Sequence, residues 1–219
     1  MIGKTHQFTE VLCLKVLVMN CSPHAHGCTD AALCEVESAL RTEGIETERY
    51  TIGTAPIQPC VACAGCARTG RCVYDDGVNV VLDKMAGCDG LIVGTPVHYA
   101  APSGGASAFL DRMFFAGGAV LRQKPAAGIA VCRRAGATGA FDDLNKYFTI
   151  AQMPVVSSQY WNMVFGATPE DIRRDAEGLQ TMRTLARNMA WLLKCIRAGR
   201  EQNILPPEPE KLVRTNFIR

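Results

Sequence analysis

Three stretches of the chain are apolar at most positions: Leu14 to Asn20, broken by Lys15, then Gly90 to Gly94, and Ala126 to Cys132. Short apolar runs without polar alternation suit strands covered on both faces, the pattern of a parallel sheet between helices. A fourth strand, Ile45 to Ile52, alternates Ile45, Thr47, Arg49 and Thr51 and suits a sheet edge. Val155-Val156 supplies a short fifth. Between strands the period lengthens. Asp30 to Thr42 places Leu33, Val36 and Leu40 on one helical face, and Gly44 takes the left-handed position that stops it. Helices are also predicted from Asp75-Asp76 to about Met85, over Ser103–Phe115 and Phe141–Ala151, and as one long terminal helix over Glu170–Arg200. Strand and helix alternating five times predict an α/β fold, a doubly wound parallel sheet in a single domain.

A length of 219 residues holds one such domain. We divide the chain into an N-terminal extension at 1–13, a folded domain at 14–200 with a cysteine loop at 56–73, and an extended tail at 201–219. Pro206, Pro207 and Pro209 in the tail cannot continue a helix. A net charge of +2 implies neither a nucleic-acid nor a membrane partner. Eleven cysteines, an odd number in a chain that is not small, do not read as a secreted disulfide framework. The start of the chain lacks a basic region and a small-residue cleavage site, and no run approaches the ~20 apolar residues of a membrane span. The expectation is a cytoplasmic, soluble protein.

Four of the cysteines are concentrated in Cys60-Val-Ala-Cys63-Ala-Gly-Cys66-Ala-Arg-Thr-Gly-Arg-Cys72, with gaps of two, two and five residues. Small residues between them let the backbone fold tightly, and each two-residue gap turns neighbouring sulfurs toward one point. A doubled two-residue gap is the run used for [4Fe–4S] ligation. Zinc sites more often place two C-x-x-C pairs on separate turns. Three readings stand: an iron–sulfur centre, zinc, or reduced thiols on a loop with no metal.

In a doubly wound sheet ligands bind beyond the carboxyl ends of the strands, near the switch in strand order. The loops there are Cys21–Thr29, Cys60–Cys72, Thr95–Ala101 and Arg133–Thr138. The first joins a buried strand to a helix, so free N–H groups and the positive dipole end face one spot; Ser22 and Thr29 add hydroxyls and His24 or His26 charge. The chain lacks the Gly-Lys-Ser/Thr of a P-loop and the G-x-G-x-x-G fingerprint, which disfavours tightly held ATP or NAD. The same residues also suit a simple turn and helix cap. In Thr95-Pro-Val-His-Tyr99, Pro96 fixes a bend and His98 or Tyr99 could meet a planar ring; Arg133-Arg134 is either a solvated pair or a partner for an electron-rich ring or phosphate.

Taken in order, Val18-Met-Asn-Cys-Ser-Pro-His…Gly-Cys-Thr29, Pro59-Cys60…Cys72 and Gly90-Leu-Ile-Val-Gly-Thr-Pro-Val-His-Tyr99 resemble the flavodoxin-like NADPH-dependent FMN reductase family, and the cysteine run is similar to that of its iron–sulfur flavoproteins. Ser103-Gly…Phe109-Leu-Asp-Arg112, Arg133-Arg-Ala-Gly136 and Tyr160-Trp-Asn-Met-Val-Phe-Gly166 agree, so the resemblance spans roughly residues 14 to 198. It implies a five-stranded flavodoxin-like sheet. It also implies FMN with its phosphate on Ser22, His24 and Thr29, beside Cys28, and its ring between Thr95-Pro96-Val97-His98-Tyr99 and Arg133-Arg134 to Gly136. A [4Fe–4S] cluster would sit on Cys60, Cys63, Cys66 and Cys72, and the assembly would be a homodimer or homotetramer with Tyr160-Trp161 in the contact. The chain departs from the family at Cys21, His24 and Cys28, where Gly, Arg and Asn are usual. At position 24 a permanent charge gives way to a titrating one, and at Cys28 the helix dipole and a bound phosphate would pull the thiol in opposite directions.

Three functions follow. The first is an FMN-dependent electron-transfer flavoprotein with a cluster, linked to a ferredoxin-like donor or a small-molecule acceptor. The second is an NAD(P)H-dependent FMN or quinone reductase without a cluster, NAD(P)H being a transient substrate. The third is a zinc- or thiol-based redox sensor.

Overall fold

The computed structural model describes residues 13–213 and 215. The proposed extension therefore lies, except for Cys13, outside the described residues. Five strands form one parallel sheet: β1 (Lys15–Asn20), β2 (Glu46–Thr51), β3 (Gly90–His98), β5 (Ala126–Cys132) and β6 (Met163–Phe165), in the order β2-β1-β3-β5-β6. A two-residue β4 (Ala101–Pro102) turns back antiparallel on β3. Helices α1 (Cys28–Thr42), α2 (Cys66–Thr69), α3 (Gly77–Ala86), α4 (Gly104–Ala116), α5 (Gly118–Leu121), α6 (Ala137–Ile150), α7 (Pro169–Arg174) and α8 (Ala176–Glu201) complete the domain.

The strands are buried on both sides because their alternate residues feed two cores. Val16, Val18, Ile92, Ile129 and Val131 join Leu33, Val36 and Leu40 of α1 and Met182, Leu185 and Met189 of α8. Leu17, Met19, Leu91 and Val93 join Val78 and Met85 of α3, Leu110 and Met113 of α4, and Leu144 and Phe148 of α6. β2 does lie at the edge. Its Arg49 faces α1, with Nε 3.0 Å and Nη2 2.7 Å from the Glu37 carboxylate and Nη1 3.2 Å from Asp30. Gly44 holds φ +76°, the left-handed conformation expected after α1.

Three expected elements differ. The last strand is not Val155-Val156: Val155 makes an isolated bridge to Ala126, the chain leaves the sheet, and it rejoins at Met163 beside Ala130. Helix α6 begins at Ala137 rather than Phe141, so Thr138 is helical; Ala137, Gly139 and Ala140 are too small to carry a visible hydrophobic period. The single helix over Glu170–Arg200 is two, broken at Asp175. The Asp175 carboxylate accepts from Gly178 N–H at 2.9 Å, capping α8, and from Phe165 N–H at 2.7 Å, tying β6 to it. Beyond Glu201 the described tail carries neither helix nor strand and is exposed.

Because Asp175 serves two backbone donors, Asp175→Ala should destabilise the domain by about 1–2 kcal/mol, read as a lower urea midpoint with an unchanged m-value.

Candidate functional site

The register fixes which loops share an edge. Asn20 pairs with Thr51 and with Gly94, Pro96 with Val131, and Cys132 with Phe165. The chain therefore leaves all the parallel strands at one rim, where the connections carrying the four singled-out loops begin.

Ser103, one residue before α4, holds two of these loops. Its N–H donates to Thr95 Oγ1 at 3.2 Å, its Oγ donates to the Cys21 carbonyl at 3.1 Å, and the same Oγ accepts from Ala106 N–H at 3.2 Å. Thr95 is fully buried, and its hydroxyl donates to Pro96 O at 3.0 Å, so it acts within the scaffold. In the first loop Ser22 Oγ accepts from His24 N–H at 3.1 Å, while Ser22 N–H donates to Asn20 Oδ1 at 3.0 Å. Ser22 and Thr29 are buried; His24 and His26 are exposed. No side chain caps α1. Ser22 still serves the simple turn through His24 N–H, while the first N–H groups of a 15-residue helix keep their capacity for an anion. Acids lie close as well: Asp30 is in the first turn, and Glu170 and Asp171 of α7 act on Cys28. Burial pushes the Cys28 thiol above its usual range; the backbone hydrogen bond lowers it in part, and the Asp171 and Glu170 carboxylates add to the rise. Burial alone pushes Cys21 up to about 12.

Residues 97–102 form a hairpin in which His98 pairs with Ala101, and its two turn residues, Tyr99 and Ala100, hold φ +51° and +62°. Non-glycine residues there are strained by roughly 1–3 kcal/mol each, a feature that clusters at functional sites. Tyr99 is fully exposed, His98 is exposed, and Pro96 and Val97 are half-buried. The hairpin rests on the start of α6: a Cβ at Gly139 would collide with the Ala100 carbonyl oxygen, and one at Gly136 would lie 3.3 Å from Val97 Cγ1. Arg133 and Arg134 stand exposed just before. The third and fourth loops are therefore adjacent walls.

The cysteine loop folds around one cavity of about 350 Å³ whose lining includes all four thiols, Cys60, Cys63, Cys66 and Cys72, with Arg112 and Phe115 of α4 opposite. Ala62 and Ala64 hold φ +51° and +56°, so left-handed residues alternate with the cysteines and redirect the chain between them. Cys66 opens α2, whose last carbonyls are followed by left-handed Gly70. Asn79 of α3 clamps Cys72: its Oδ1 accepts from Cys72 N–H at 2.9 Å, and its Nδ2 donates to Cys72 O at 3.0 Å and Tyr74 O at 3.2 Å. Arg112 donates from Nε to Cys72 Sγ at 3.2 Å. Asp76, the N-cap of α3, accepts both Arg112 Nη groups, at 2.7 and 2.8 Å. Burial disfavours its charge, but those hydrogen bonds outweigh it and hold the carboxyl below the usual range. Among the described residues no three His, Cys, Asp or Glu side chains converge within reach of a single metal ion.

Ser103, Asn79 and Arg112 were not among the predicted site residues. Ser103 could have been found as a helix-capping type before an apolar period; Arg112 entered only as the end of the family-like stretch Phe109-Leu-Asp-Arg112, and nothing in the sequence marks Asn79.

Five parallel strands in this order, with the candidate loops at their carboxyl ends, define a flavodoxin-like α/β protein. A flavodoxin, WrbA-like protein from Agrobacterium tumefaciens shares the fold, with a TM-score of 0.59 at 16% identity over 83% of this chain and 98% of its own. The chain belongs to the NADPH-dependent FMN reductase family, which it matches over residues 14–168, on the branch of the iron–sulfur flavoproteins. It is 31% identical over 192 residues to an iron–sulfur flavoprotein of Methanocaldococcus jannaschii, covering 84% of this chain and 100% of the relative. To the iron–sulfur flavoprotein of Methanosarcina thermophila it is 28% identical over 167 residues, 74% and 86% of the two chains. No described helix is long and apolar enough to cross a membrane.

A raised pKa lowers the thiolate fraction at any given pH. Iodoacetamide should therefore alkylate Cys28 in the folded protein with a rate–pH inflection above that of a free thiol. Cys21 should stay unlabelled at pH 8 until the protein is unfolded. Peptide mass mapping after timed labelling checks both.

Proposed function

We propose that this protein is an FMN-dependent electron-transfer flavoprotein carrying a [4Fe–4S] cluster on Cys60, Cys63, Cys66 and Cys72. The observation that carries the cluster is the single hollow lined by all four cysteines, packed against the second half of α4. Relatives named as iron–sulfur flavoproteins support it.

FMN supplies one- and two-electron chemistry and the cluster single-electron transfer; the protein contributes position and electrostatics. On this reading the uncapped start of α1 and the Ser22 and Thr29 hydroxyls hold the FMN phosphate, with His24 and Cys28 at its margin. Pro96 to Tyr99 bear on one side of the ring and Arg133, Arg134 and Gly136 on the other. Thr95 sets the loop from beneath. Helix α4 supports both sites, since Ser103 joins the flavin loops and Arg112 faces the thiols, about 14 Å further along at 1.5 Å per residue. Donor and acceptor are a ferredoxin-like protein or NAD(P)H and a small molecule. Exposed Tyr160 and Trp161, with ring centroids 5.2 Å apart, offer the contact for a homodimer or homotetramer.

Protein purified without oxygen should show two resolved flavin bands over a broad brown shoulder, with roughly four irons and four acid-labile sulfides per chain. Cys66→Ala should lose the iron and keep the flavin. A yellow protein with neither iron nor sulfide would instead be the cluster-free NAD(P)H reductase, and a colourless one with a single zinc the redox sensor.

A guanidinium at position 24 would give the FMN phosphate a permanent cation with a planar fork of donors. His24→Arg should therefore bind FMN more tightly, by about tenfold or more if one charge-assisted hydrogen bond is gained. Equal affinities in fluorescence titrations would remove position 24 from the phosphate site.

A further inference from the structure

Arg112 is an anomaly in its helix. Its side chain is only 1% exposed, yet it lies among Phe109, Leu110 and Met113 on the buried part of α4. A buried guanidinium is weak evidence of stabilisation, because desolvation offsets much of the attraction to its partner. Its contacts point to a more specific use. Nη1 and Nη2 fork onto the Asp76 carboxylate at 2.7 and 2.8 Å, Nη1 also donates to the Gln58 carbonyl at 3.3 Å, and the guanidinium lies 4.8 Å from the Tyr74 ring centroid. Gln58 and Asp76 flank the cysteine loop on its two sides, so one side chain ties its entry to its exit. The remaining donor, Nε, reaches Cys72 Sγ at 3.2 Å.

We infer that Arg112, held by Asp76, is a positioning residue for the cluster: it fixes Cys72 and sets the electron affinity of the group bound by the four thiols. This inference rests on the proposed cluster. When the cluster takes one electron, the site gains one negative charge and no bond is made or broken. A cation with its N–H on a ligating sulfur favours that more negative state, and hydrogen bonds to the sulfurs and local net charge are among the factors that set cluster potentials. The ion pair is neutral overall but oriented, with the guanidinium against the sulfur and the carboxylate behind it. The two partners must therefore act in opposite directions. Removing Arg112 leaves a carboxylate facing the cluster and should make its midpoint potential more negative. Removing the charge of Asp76 leaves an uncompensated cation and should make it more positive. Simple loosening of the loop would not give opposite signs.

The test is a redox titration of the anaerobically purified holoprotein and of Arg112→Gln, Arg112→Lys and Asp76→Asn, with dithionite as electron donor and the cluster followed by electron paramagnetic resonance. Asparagine is a competent helix cap, so Asp76→Asn preserves the start of α3, and the Asp76 side chain is already 40% exposed. The expected result is a negative shift for Arg112→Gln, a smaller shift for Arg112→Lys, which keeps the charge but not the fork, and a positive shift for Asp76→Asn. Arg112→Gln should also lose iron to a chelator about 10–100-fold faster, the usual effect of removing a group that orients a metal ligand. If Arg112→Gln does not retain a cluster, Asp76→Asn still decides: an unchanged or negative shift overturns the inference. Unchanged potentials and iron-loss rates in loaded variants overturn it while leaving the proposed function intact. Wild-type protein without iron and sulfide overturns both.

Discussion

The buried knot at Ser103 is the constraint on which the strand-end rim depends. Without it, the loop after β1 and the end of β3 would be neighbours held only by the sheet below them. Ser103 links their backbones through Thr95 and Cys21 and starts α4 with the same hydroxyl. Each of these groups is buried, so leaving any one unpaired would be unfavourable by roughly 1–3 kcal/mol. Ser103 therefore ties both loops to the start of α4. The far end of that helix reaches the cysteine hollow, so the positions of the two candidate cofactor regions are coupled through a rigid element.

Much of this was legible in the chain. The apolar runs of β1, β3 and β5 identified a sheet covered on both faces, and the polar alternation of β2 identified its edge, because burial on two sides, one side or none leaves different periods. The cysteine spacing left a cluster, zinc or free thiols open, and the structure adds that all four cysteines line one cavity. What failed to show was structure decided by single side chains. Asp175 interrupts an otherwise continuous helical pattern by capturing two backbone N–H groups, and no periodicity records that. Val155-Val156 has strand composition but only one residue of pairing, because the sheet partner beyond Ala126 is met by Met163 to Phe165 instead.

The site residues divide in the same way. Loop residues with hydroxyls, rings or thiols advertise their chemistry, whereas Asn79 and Arg112 lie inside helices, where a polar residue ordinarily faces water. Their burial against Cys72 arises only when α3, α4 and the loop are brought together. Cys28 shows the limit of a local rule: the helix start that should acidify it is outweighed by burial and by two carboxylates from α7, distant in sequence.

The left-handed alanines of the cysteine loop carry a thermodynamic consequence. Ala62 and Ala64 adopt backbone conformations that alanine disfavours, and the loop holds them with Asn79, Arg112 and α2 already in place. The work of shaping the cysteine loop is thus charged to folding of the whole domain. In small zinc domains ligation and folding are one event; this loop instead shares its ordering with the core, through Asn79 of α3 and Arg112 of α4.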